Sequence, residues 1–240
     1  YKNALFLENH VEHEIGGNHL LENAVALVAA GVLFRAHDTG WARAGWRLFE
    51  AAAEDQFLAD GCHFERSPMY HVLTVTRYLT VLDLLSRVDR EVPAAVARVA
   101  RGGVAFLRAI EPPDGRLPLL NDSVHGESLT LPECRGYASA VGVDAATLDG
   151  ATVAPPDVDR ATTQSGGDVS PSVTSDGGAA TRDPAGLDAA GELPRVEALE
   201  ASGYYWLDTE SGRAFLDGGA IGPAHLPAHS HNDHFSILLW

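Results

Sequence analysis

Apolar positions in the first half of the chain recur with the period of an α-helix. Leu20, Ala24, Leu27 and Gly31 share one helical face, and Trp46, Phe49, Ala53 and Phe57 share another. Val75, Tyr78, Leu82 and Leu85 follow, then Val96, Val99, Gly103, Phe106 and Ile110. Breaks fall at Asp38-Thr39-Gly40, Asp60-Gly61 and Val92-Pro93, where Gly supplies turn conformations and Pro resists helix continuation. Short breaks between long helices make neighbours antiparallel, so residues 18 to about 110 predict an array of helical hairpins.

The pattern then fails. Residues 148–196 are rich in Gly, Ser, Thr, Asp, Ala and Pro, and their few large apolar side chains cannot offset the entropy of ordering. This stretch reads as an acidic low-complexity linker or insertion between a helical region, 1–147, and a third region, 197–240. There the period changes to that of a strand. Gly203 to Leu207, a turn over Thr209–Gly212, and Arg213 to Asp217 predict a β-hairpin, and Phe235–Trp240 is a further apolar run. The fold class expected is α+β, helical hairpins followed by the first strands of an antiparallel sheet. The chain begins without Met and stops inside that apolar run, so it reads as a fragment.

Charge narrows the partners. The net charge is −16, from 33 acidic against 17 basic residues, and Lys2 is the single lysine. With no basic stripe to neutralise phosphates, nucleic acid is not an expected partner. Such a composition suits a protein from a very salty cytoplasm, and equally an ordinary acidic protein kept soluble by its charge. No apolar run reaches the ~18 residues of a membrane span. Cys62 and Cys134 are too few and too far apart to define a disulfide framework or a zinc finger.

Candidate chemistry gathers at two helix starts. In Glu65-Arg66-Ser67-Pro68-Met69-Tyr70-His71, Ser67 reads as an N-cap and Pro68 as the first helical residue, which puts Tyr70 and His71 in the first turn. In Gly16-Gly17-Asn18-His19, Asn18 reads as the cap of the helix that begins at His19. One antiparallel helix, about 41–59, separates the two, so both starts are expected at the same end, with Asn18, His19, Tyr70 and His71 lining one cleft. A helix start favours a carboxylate ligand and a phenolate alike. An Asn or protonated His facing a uronate carboxylate stabilises the enediolate formed when the adjacent carbon loses its proton. These are the parts of a β-elimination. Glu22, one turn beyond His19, is placed to orient its imidazole. Plainer roles stand beside these. Tyr70 also suits packing and Asn18 capping, while Glu22 and Glu65 also suit solvent or an arginine such as Arg66.

A third cluster, His229-Ser230-His231-Asn232-Asp233-His234, has ligand chemistry. In an extended strand His229, His231 and Asp233 share a face, and histidine with carboxylate suits Zn²⁺. An H-x-H pair also recurs in metal-free proteins. His225 is a weaker candidate, and His10 and His13 are expected in solvent.

Taken together, Gly17-Asn18-His19-Leu20-Leu21-Glu22-Asn23-Ala24, Glu65 to His71, and Asp217-Gly218 through His229-Ser230-His231-Asn232-Asp233 to Ser236 resemble the heparinase II/III family of polysaccharide lyases. The resemblance covers residues 1 to about 140 and 200–240 and matches in order and spacing. It implies an incomplete (α/α) toroid followed by antiparallel β-sheets, and an acidic, uronate-containing polysaccharide as substrate. It also implies catalytic roles for Asn18 and His19 in neutralising the carboxylate or assisting proton abstraction, Tyr70 at the leaving oxygen (in some members also as base), and His229 from the β domain. Glu22, Glu65, Arg66 and His71 become substrate-binding candidates beside them. His231 resembles the family's structural zinc ligand, with Asp233 weaker and a partner Asp expected on a later strand. A glycoside hydrolase on a related toroid is the alternative enzyme, needing two carboxylates across the bond, of which Glu22 and Glu65 are the obvious pair. A non-catalytic or degenerate glycan-binding module is the alternative outside catalysis.

Overall fold

A computed structural model describes residues 1–37, 40–88, 91–143, 195–223 and 235–240. Six α-helices come first: α1 (Lys2–Leu7), α2 (Gly17–Leu33), α3 (Trp41–Asp55), α4 (Pro68–Ser86), α5 (Ala94–Ala109) and α6 (Leu131–Ala140), with a 3₁₀ turn at Arg35–His37. Four strands follow: β1 (Arg195–Leu199), β2 (Tyr204–Thr209), β3 (Gly212–Asp217) and β4 (Ile237–Leu239). They form one antiparallel sheet in the order β1-β2-β3-β4.

The helical hairpins have the cause that periodicity suggested. Ala24, Leu27 and Gly31 face inward from α2, and Phe49 and Ala53 from α3. The two helices approach closely because small residues meet at the crossing. A Cβ on Gly45 would sit 2.7 Å from the backbone nitrogen of Val28, and one on Gly31 would sit 2.5 Å from the Ala42 Cβ. Helix α4 is the centre of the array: Val72, Val75, Tyr78, Leu79, Leu82 and Leu85 are all buried. It packs against α2, α5 and α6.

The sheet closes the same core. Tyr204, Trp206 and Phe215 are fully buried and join one apolar cluster with Phe106 of α5. Polar contacts fix the junction. Trp206 Nε1 donates to the Ala109 carbonyl at 2.7 Å, the Ser202 amide donates to Asp60 at 2.7 Å, and the Tyr204 hydroxyl donates to the Arg66 carbonyl. The main chain of Arg66 therefore belongs to the seam between helices and sheet.

The sequence pattern misses three elements and overextends one. Strand β1 begins inside the stretch read as linker, because Arg195–Glu197 expose their side chains and it is held by backbone pairing to β2. Helix α6 is short and weakly periodic. Its signal is local, a capping box in which Thr130 and Glu133 satisfy each other's backbone N–H groups, with Pro132 in the first turn. Helix α1 is only six residues long. Helix α3 ends at Asp55, so Phe57 lies beyond it, in a bridge to His63.

Candidate functional site

The start of α4 is held by a short loop distant in sequence. Ser67 is the N-cap, accepting from the Tyr70 amide at 3.5 Å, and Pro68 opens the helix. The loop residues Asn121, Asp122 and Ser123 then reach this turn one after another. Asn121 Nδ2 donates to the Arg66 carbonyl at 2.7 Å, and the Ser123 hydroxyl meets the Ser67 hydroxyl at 2.9 Å while accepting from the Met69 amide at 3.1 Å. Between them, Asp122 brings its carboxylate close enough to the Tyr70 phenol to act on it. The helix-start amides of Met69 and Tyr70 are thus taken by hydroxyls, so the carboxylate-binding role expected of this turn does not fall to them.

The tyrosine itself is half-buried. Partial burial first, then the carboxylates of Asp122, Glu65 and Glu127, raise its phenol above the usual range. This runs against the expectation that the helix start would favour phenolate: loss of solvent and three acidic neighbours favour the protonated phenol. At neutral pH Tyr70 carries its proton, the state a general acid needs.

His71, the next residue, is not on the rim. It is fully buried, its Nδ1 accepts from the His63 amide at 3.0 Å, and its Nε2 lies 3.0 Å from the Gly103 carbonyl. With Nδ1 an acceptor, Nε2 carries the hydrogen and the ring is neutral. Burial pushes its pKa down to about 4. The substrate-binding role expected for His71 is corrected accordingly, since both nitrogens are spent inside the fold. Glu65 is likewise buried at 1% exposure. Arg66 adopts a left-handed backbone (φ 54°), and its Nε donates to the Ser202 carbonyl at 3.1 Å, so its guanidinium serves the seam with the sheet.

Beneath the rim, a buried polar ladder joins the two helix starts. Gln56 Nε2 donates to the Gly17 carbonyl at 3.1 Å, and Gln56 Oε1 lies 3.4 Å from His63 Nε2. His63 in turn connects to His71, and His71 to α5. Sequence pattern gave no signal for Gln56 or His63, which lie in a connection between helices.

The start of α2 is more open. Gly16 is the N-cap with φ 71°, and no side chain caps the helix. Asn18 is therefore the second helical residue and half-buried, rather than the cap that its position suggested. His19 is exposed, with Nδ1 3.6 Å from Glu12 Oε1. Asn23 holds Glu12 in place: its Oδ1 accepts from the Glu12 amide at 3.0 Å, and its Nδ2 donates to the Glu12 carboxylate at 2.8 Å. The partner of His19 is thus Glu12, and not Glu22 as expected. Glu22 turns outward to Arg77 of α4, whose permanent charge and reach outcompete an imidazole one turn away.

The loop that carries Asp122 also borders a cavity of about 340 Å³, lined by Leu117, Val124 and Leu129 with Arg116 and His125 at its polar side. His229, His231 and Asp233 lie outside the described residues, as do His225 and His234. Among the described residues no group of three or more potential metal ligands gathers.

Comparison with known proteins bears on this geometry. The profile of the heparinase II/III N-terminus matches residues 1–143, and that of the heparinase II/III-like C-terminal domain matches residues 191–240. The heparin-sulfate lyase of Pedobacter heparinus is 29% identical over 127 residues, covering 51% of this chain and 19% of the relative. That of Bacteroides thetaiotaomicron is 25% identical over 122 residues, covering 46% of this chain and 17% of the relative. The crystal structure of heparinase III aligns with a TM-score of 0.65 at 20% identity, over 100% of this chain and 35% of that one. A heparan sulfate lyase structure from Pedobacter heparinus gives 0.59 at 20% identity, over 100% and 33%. The structural likeness establishes the fold, and the chain spans only a part of each of these relatives. On its two profile matches the chain belongs to the heparinase II/III family and carries part of that helical toroid, followed by antiparallel strands.

Proposed function

We propose that this chain carries the acid and carboxylate-binding groups of a polysaccharide lyase that cleaves a uronate-containing glycan by β-elimination. The observation that carries the reading is the half-exposed Tyr70 phenol, held protonated at a helix start that the Gln56–His63–His71 ladder ties to the start bearing Asn18 and His19. The substrate carboxylate meets Asn18 and His19, which stabilise the enediolate. A base removes the proton at C5; the electron pair forms the C4–C5 double bond and the C4–O bond breaks. Tyr70 gives its proton to the departing oxygen. His229 is the base assigned here; Tyr70, the alternative that the resemblance offers, would have to start the reaction without its proton. The names of the related lyases make heparan-sulfate-type chains the first substrates to try.

His231 with Asp233 is proposed as a structural zinc site, to be checked by metal analysis of the purified protein. The hydrolase alternative needs two carboxylates across one bond. Its obvious pair is not assembled: Glu22 faces Arg77 at the surface and Glu65 is in the core. The test is ultraviolet absorbance of the new double bond, wild type against Tyr70→Phe, over a panel of uronate polysaccharides. Absorbance abolished by Tyr70→Phe supports elimination. Reducing ends without absorbance point to hydrolysis, and glycan binding with neither points to a non-catalytic module.

A further inference from the structure

We propose that Asp122 is the positioning residue of Tyr70: it accepts the phenolic hydrogen bond, aims the hydroxyl, and holds the proton on it until the leaving oxygen arrives. The proposal rests on the elimination reading above and deepens it. Three observations converge on it. Asp122 lies near enough to the Tyr70 phenol for its carboxylate to be the foremost charge acting on it. It sits between two residues that are themselves fastened to the same helical turn, Asn121 to Arg66 and Ser123 to Ser67 and Met69. Asn121 holds an unusual left-handed backbone, φ 53°, and also donates to Asp217 of the sheet at 3.4 Å, so the tripeptide is anchored from both sides. A carboxylate on a mobile loop would swing away; this one is set in a clamp.

The charges acting on Tyr70 are Asp122, Glu65 and Glu127, all acidic. Glu65 is buried and Glu127 exposed, and Asp122 is the foremost of the three charges acting on the phenol. Removing the charge at Asp122 while keeping an acceptor therefore isolates its contribution.

The experiment compares wild type, Asp122→Asn and Asp122→Glu in two ways. A spectrophotometric difference titration against Tyr70→Phe isolates the Tyr70 phenol without any need for turnover. The pH profile of double-bond formation on a heparan-sulfate-type polysaccharide reads catalysis. In Asp122→Asn the Tyr70 midpoint is expected to fall, the alkaline limb of kcat to fall with it, and kcat at neutral pH to drop about tenfold. KM should stay within about twofold, since the interaction is made in the transition state. Asp122→Glu is expected to restore the midpoint and part of kcat. In a Tyr70→Phe background Asp122→Asn should change nothing further. An unmoved midpoint and limb, with only a lower melting temperature, would make Asp122 structural and overturn the assignment while leaving elimination intact. A shifted titration with no double bond formed on any uronate glycan supports the Asp122–Tyr70 coupling and sinks the elimination reading instead.

Discussion

The starts of α2 and α4 lie at the same end of the helical array and are built on opposite plans. At α4 the first turn is closed: Ser67, Asn121 and Ser123 satisfy its backbone, and the Asp122 carboxylate acts on the Tyr70 phenol. At α2 the cap is a glycine, no side chain caps the helix, and His19 has one long contact to a half-exposed glutamate. A proton donor must be aimed before the bond breaks, because its angle and distance enter the rate directly. A group that receives a carboxylate needs open N–H groups and a side chain free to exchange partners. On the proposed reading, the difference would divide the site into a rigid acid and an adaptable anion receiver.

Removing the acid tests that division most severely. Tyr70→Phe is expected to lower kcat by about a hundredfold to ten-thousandfold, the range of a lost general acid. Its thermal stability should change little, because the hydroxyl is at the half-buried rim. A melt that drops in parallel with activity would mean that Tyr70 is part of the scaffold.

Acid should attack the support under α4. His71 is neutral and buried, with a pKa of about 4 against an ordinary 6.5; desolvation lowers it, while the Gly103 contact and Asp60 act the other way. The unfolded chain therefore binds this proton more readily than the folded one. Stability from His71 is complete above about pH 6.5 and is lost as pH falls toward 4, by about 3 kcal/mol. Urea midpoints of wild type and His71→Gln across that window check it. The variant, once corrected for its lower starting stability, should show a flatter decline.

How much of this contrast was readable beforehand depends on the range of the forces involved. The helical hairpins follow from buried positions at i, i+3 and i+4, and the Ser67-Pro68 start from local capping chemistry; both are written within a few residues. The β2–β3 hairpin is equally local. The clamp is not, because Asn121, Asp122 and Ser123 lie over fifty residues from the turn that they hold and sit in a loop without period. The same reason hid Gln56 and His63 and misdirected His71 and Arg66. Tyr70 was legible as a candidate at a helix start, but its protonation was not, since that depends on which carboxylates the fold brings near it.

Ser123 gives the next effect in size. Its hydroxyl is buried and holds both Ser67 Oγ and the Met69 amide, so Ser123→Ala leaves two polar groups of the closed turn short of a partner. A loss of about 1–3 kcal/mol is expected. If the clamp serves the acid, kcat should fall with KM nearly constant. Equal losses with Ser67→Ala, and a double variant no worse than either alone, would show the two hydroxyls acting as one unit.

The smallest effect is expected at the open start, and its sign is the informative part. Glu12 and His19 are each about half-exposed, so their contact at 3.6 Å contributes about 0–1 kcal/mol to stability. Glu12→Gln should therefore leave the melt almost unchanged. On the proposed reading, the carboxylate of Glu12, 3.6 Å from the imidazole, would compete with a substrate carboxylate for one ring. Neutralising Glu12 removes the competitor and a local repulsion toward a polyanion. KM for a uronate glycan should fall by about twofold, with kcat unchanged, as for an interaction equal in ground and transition states. A raised KM would reverse the inference: Glu12 would then be the group that orients His19, and the start of α2 would be as preorganised as that of α4.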